Sequence, residues 1–170
     1  MVPPSVPPSE SDSPELRSRR KRVLLLAATD MEQTIEAARA IERESDRVAA
    51  GEEPNAELVH ALETALAVCY WRPFTNSSIG RLDPVEDGPP EASGLVELHR
   101  DLETMRKTRY AHTDKVSGRD ADVREHVTET GVTGIVRTES QWEFPEEWLP
   151  RVIALAEMQR ERFITEALKL

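Results

Sequence analysis

The stretch LHRDLETMRKTRYAHTD, residues 98–114, carries two patterns at once. Leu98, Leu102 and Met105 recur at spacings of three and four, the period of one buried helix face, and that phase runs on through Arg109 to His112. The same letters crowd charge into a short span. Between positions 99 and 119 six basic residues stand against three acidic ones, a positive island in a chain of net charge −10. The apolar phase decides the fold class, and the island raises the question of function.

Outward from this helix the pattern stays helical. Leu95 extends the same face, and Ser93 stands where a helix cap belongs. Upstream, Leu58, Leu62, Ala65, Leu66 and Cys69 mark the inner face of a helix that starts near Pro54–Asn55, and Pro73 disfavours helix at Arg72. Before it, Leu24, Ala28, Met31, Ile35, Ala38 and Ile41 lie on the inner face of a helix ending near Ser45. Residues 79–93, IGRLDPVEDGPPEAS, are rich in proline, glycine and acid and are expected to form a surface loop.

Downstream, β-branched runs on either side of Thr130–Gly131 suggest a small hairpin. A last helix enters through FPEEWLP, where Glu146 and Glu147 suit a helix start, and runs to about Leu168. It offers Val152, Leu155, Ala156, Met158, Phe163 and Ile164 to the core. The sum is an all-α fold: an up-and-down four-helix bundle with a short β-hairpin or loop insertion before the last helix. Residues 1–14 carry five prolines and little to bury, so they read as a disordered Pro/Ser-rich tail ahead of one bundle domain, 15–170.

Composition narrows the functional classes. A content of 38% hydrophobic and 32% charged residues is the balance of a soluble domain. Arg17, Arg19, Arg20, Lys21 and Arg22 form a basic cluster. Beyond position 22 the chain has 17 basic and 29 acidic residues, and a body that acidic repels nucleic acid at long range. SRRKRVLLLAATD (18–30) starts like an export signal, but its apolar part spans only Val23–Ala28, short of the ~7–15 residues of a signal core. No run reaches the ~18 apolar residues of a membrane span. Cys69 is the one cysteine, so an internal disulfide and a cysteine-based zinc site are excluded, and a reducing cytoplasm is the expected setting. His99-x-Asp101 and His112-x-Asp114 lack a third ligand, so neither a metal nor another cofactor is expected.

MRKTRYAHTD resembles the signature of the HEPN superfamily, small helical-bundle proteins marked by an arginine four to six residues before a histidine. Arg106 precedes His112 with five residues between them. The wider frame, YWRPFTNS closing one helix and LHRDLETMRKTRYAHTD forming the next, is similar to uncharacterised bacterial members with an Arg-Pro-Phe element and an AH(S/T)D ending. The resemblance implies metal-independent RNA cleavage by attack of the ribose 2′-hydroxyl on the adjacent phosphate. His112 would move the protons and Arg106 would clamp the phosphate, with Tyr110 and Arg109 orienting or stacking the RNA and Arg72 as a further substrate contact. It also implies a homodimer in a toxin–antitoxin or defence system, with an antitoxin or other protein partner.

Lys107 departs from that pattern, which favours asparagine, aspartate or histidine after the arginine. Six residues along an ideal helix rise about 9 Å and turn about 240°, so Arg106 and His112 meet only at a broken helix end or across two chains. The structural alternatives are a capping His112, an Arg106 paired with a neighbouring carboxylate and an Arg72 serving as an ion-pair partner; His60 and His126 are read as surface residues. Two classes therefore stay open. One is the endoribonuclease; the other is a non-catalytic bundle that associates with another protein or binds RNA or a nucleotide.

Overall fold

The structure, a computed structural model, describes residues 13–107, 121–128, 131–138 and 144–170. Most of the tail expected at 1–14, together with Arg109, Tyr110 and His112, lies outside the described residues. Among the described residues four α-helices pack around one core: α1 (Pro14–Ala49), α2 (Ala56–Trp71), α3 (Val96–Met105) and α4 (Leu149–Lys169). Helix α1 packs against both α2 and α4, and α3 bridges α2 to α4, so the four enclose a common interior. None of the described helices is long and apolar enough to cross a membrane.

Helix α1 begins ten residues earlier than the apolar periodicity indicates. Ser13 accepts the Leu16 N–H at 3.3 Å, Pro14 occupies the first turn, and Glu15 adds a favourable acid there. It runs for 36 residues, about 54 Å at the ordinary rise per residue. Its whole expected stripe, from Leu24 to Ile41, is buried. Glu44, buried at the end of that stripe, accepts the Asn55 N–H at 3.1 Å while Asn55 caps α2 by accepting from the Leu58 N–H at 3.0 Å, so one short chain of bonds fixes the α1–α2 turn.

Helix α2 stops where Pro73 requires it, in a 3-10 turn at Arg72–Phe74. Leu66, Tyr70 and Trp71 are buried, but Leu58 is exposed, because it lies in the first turn of α2, before the helix reaches the bundle interior. In α4, Val152, Leu155, Ala156 and Phe163 are buried and Met158 partly so. Ile164 is exposed, one position round from Phe163, which takes the inward place.

The connection 75–95 departs most from expectation, because Leu82 and residues 87–89 are packed while Asp83, Val85 and Glu86 between them stay exposed. Leu82 is fully buried and its N–H donates to the Pro73 carbonyl at 2.8 Å. Asp87 is buried, pairs with Arg20 of α1 and accepts the Asp83 N–H at 2.8 Å. From α4, Gln159 Nε2 donates to the Asp87 carbonyl at 3.0 Å and Arg162 Nη1 to the Gly88 carbonyl at 2.5 Å. A Cβ on Gly88 would stand 2.2 Å from the Pro84 carbonyl oxygen, so the close approach requires glycine. Ser93 is no cap for α3: it ends a 3-10 turn, and its hydroxyl accepts from the Leu95 N–H at 3.2 Å. Between α3 and α4, Ala121–Thr128 (β1) and Gly131–Thr138 (β2) pair antiparallel, with Val123 opposite Val136 and Thr128 opposite Gly131.

Candidate functional site

The end of α3 brings the island into view. Leu98, Leu102 and Met105 are buried, which turns the helix so that Arg106 emerges half-buried beside them. The Arg106 N–H reaches the carbonyls of both Glu103 and Leu102, and Arg106 and Lys107 lie in a wider π-helical turn. Such turns break the regular period and often stand at functional positions. Lys107 pairs with Glu103 one turn back on the exposed side. The Arg106 guanidinium makes no ion pair or hydrogen bond among the described residues, so the neighbouring-helix carboxylate considered for it is not found there.

Arg72 is differently placed. Its Nη1 donates to Asp30 Oδ1 at 2.8 Å and to Gln33 Oε1 at 3.4 Å, and its Nη2 lies 3.6 Å from the Cys69 sulfur. Burial raises the Asp30 pKa, and the Arg72 charge and hydrogen bond pull it back. Burial also raises the Cys69 thiol, with Arg72 opposing. Arg72 thus serves as the counter-ion of Asp30, the structural reading of that residue.

His99 carries a relationship that the sequence does not display. The Tyr70 hydroxyl lies 2.7 Å from His99 Nδ1, and the imidazole is boxed by Trp71 and Phe74 at ring-centroid distances of 4.5 and 5.1 Å. Burial lowers the His99 pKa to about 4, against a smaller opposing pull from the Pro84 carbonyl and Glu103, so the ring is neutral at pH 7. Burial likewise pushes the Tyr70 phenol well above its usual value. His99 Nε2 makes no close hydrogen bond among the described residues, and the Pro84 backbone exerts its pull from further off. The YWRPF element and α3 are therefore joined by a neutral, aromatic-boxed histidine. The available signal was position: His99 adjoins Leu98 on the apolar face and precedes Leu102 by three.

No group of three metal-ligating side chains stands together among the described residues. His60 is exposed, and the His126 side chain lies outside the description. The arrangement offers a half-buried guanidinium at the end of a helix, without a partner among the described residues and held on a base of buried apolar and aromatic side chains. A planar forked cation of that kind binds an oxyanion such as a phosphate. In comparisons with known proteins, no family model, curated protein or solved structure matches this chain.

Proposed function

We infer that this chain is a HEPN-like, metal-independent endoribonuclease working as a homodimer in the cytoplasm, in a bacterial toxin–antitoxin or defence setting. The observation that carries the reading is Arg106: half-buried at the loosened end of α3 and without a carboxylate among the described residues, while the neighbouring cation Lys107 is paired. An arginine held ready but unneutralised is what a phosphate clamp requires.

In the proposed reaction the ribose 2′-oxygen attacks the adjacent phosphorus while its proton passes to His112. The bond to the 5′-oxygen breaks, a proton returns to that leaving oxygen, and a 2′,3′-cyclic phosphate remains. Arg106 lies against the phosphorane oxygens, and Tyr110 and Arg109 orient or stack the RNA. Incubating the protein with mixed RNA in EDTA, beside Arg106→Lys and His112→Ala, tests the reading. Chelator-resistant cleavage that both substitutions abolish supports it. Absence of cleavage by fresh wild type overturns it.

A second reading rests on a different observation: Leu25 and Leu26 lie side by side on α1, each 45% exposed. That pair favours a non-catalytic bundle whose work is to hold a protein partner, such as an antitoxin, on α1.

A further inference from the structure

At the N-terminal end of α1 the cationic cluster at positions 17–22 is gathered against the connection that follows α2, in a chain that is otherwise strongly acidic. We propose that the arginine-rimmed trough between the first turns of α1 and residues 78–81 binds the phosphates of single-stranded RNA, at a place separate from Arg106. The choice of RNA as the anion rests on the reading given under Proposed function.

The trough has both a rim and a floor. A cavity of about 500 Å³ is rimmed by Arg17, Arg19, Arg20 and Arg81 over apolar side chains that include Val23 and Ile79. A second, of about 510 Å³, shares Arg19 and Ile79 with it and continues over Arg22 and Ser78. The rim cations differ in their commitments. Arg20 neutralises buried Asp87 and belongs to the fold. Arg19 donates its Nε to the Ile79 carbonyl at 2.7 Å, which fixes the plane of the guanidinium and leaves its Nη groups without a hydrogen bond among the described residues. Arg22 and Arg81 are exposed on either side of it.

A fixed guanidinium with further arginines beside it and an apolar floor suits a flexible polyanion whose flat bases can lie on side chains between phosphate contacts. A bilayer surface suits it less well. A flat anionic sheet would bring the acidic body of the bundle within a screening length of its own repulsion, whereas a single strand touches the trough alone.

The test measures binding of a labelled single-stranded oligoribonucleotide by fluorescence anisotropy, in EDTA, with the full chain carrying His112→Ala so that the probe survives. Arg22→Glu combined with Arg81→Glu should lower affinity tenfold or more. It should also reduce the slope of log affinity against log salt by about 1.4, at about 0.7 per phosphate lost. The melting temperature should not move. Unchanged affinity and slope in this variant would overturn the trough, whether or not wild type cleaves RNA. Trough-dependent binding by a protein that does not cleave would uphold the trough and discard the ribonuclease. Binding to phosphatidylserine vesicles with none to the oligoribonucleotide would overturn the RNA assignment.

Discussion

The Tyr70 hydroxyl and His99 Nδ1 stand 2.7 Å apart inside a box of aromatic rings, and the burial of His99 there lowers its pKa and makes the bundle sensitive to acid. Its folded-state pKa of about 4 lies below the 6.5 of a free histidine. Between those values the unfolded chain binds a proton that the folded chain refuses. The stability due to a neutral His99 is therefore complete above about pH 6.5 and is lost as pH falls toward 4, on the order of 3 kcal/mol in all. Urea denaturation at pH 7.5 and 4.5 should show this loss, and His99→Phe should be less stable at pH 7.5 but lose less on acidification. An equal pH dependence in the two proteins would refute the assignment.

Arg106 and His112 separate catalysis from folding. Arg106→Lys keeps the charge and loses the planar fork, so RNA cleavage should fall by orders of magnitude, while the melting temperature holds because no described partner is lost. His112→Ala should abolish cleavage too. Variants that cleave normally and melt several degrees lower would leave a scaffold in place of an enzyme.

Assembly is expected from the same pair, since on an ideal helix a separation of six residues would place them on different faces. Light scattering at tens of micromolar should give twice the chain mass. A monomer that cleaves RNA would place both groups of one site on a single chain.

Gly88→Ala should be costly, because its Cβ would stand 2.2 Å from the Pro84 carbonyl oxygen. A loss of about 1–3 kcal/mol is expected for such overpacking. At Gly51, where nothing lies within 4 Å but φ is 89°, alanine should cost only the backbone strain, about 1–2 kcal/mol. Chemical denaturation of both variants checks the order.

Arg72→Met should strand the Asp30 carboxylate, which is 9% exposed. A loss of about 1–3 kcal/mol is expected, and Asp30→Asn in the same background should recover part of it. If Arg72 instead served RNA, cleavage would fall with stability intact.

The helices could be read from the sequence because each buries a stripe in the ordinary period. Every residue of the stripe from Leu24 to Ile41 went where the spacing put it. Leu58 and Ile164 did not, since periodicity marks a face but not how far the bundle covers it. Residues 79–93 are a surface loop only in part, because proline, glycine and acid usually mean solvent while Leu82 and residues 87–89 are buried. Here the acid, Asp87, is answered by Arg20, 67 positions away, and no local pattern reports a partner at that distance. His99 was hidden for a similar reason: a histidine beside a leucine reads the same whether it meets water or the hydroxyl of Tyr70. The half-buried placement of Arg106 was foreshadowed only by its position at the end of the Leu98–Met105 stripe.

The clamped connection also bears on the order of folding. Helical proteins fold fast when their contacts are local in sequence, and α1 and α2 satisfy that condition through a short turn. Asp87–Gly88, by contrast, is secured by Arg20 from 67 positions before and by Arg162 from 74 after. Each of these closures spends chain entropy before any packing compensates for it. On the ribosome, a chain emerging from its N-terminus would hold Asp87 from one side only, through Arg20, until the last helix cleared the exit and brought Gln159 and Arg162 to the connection.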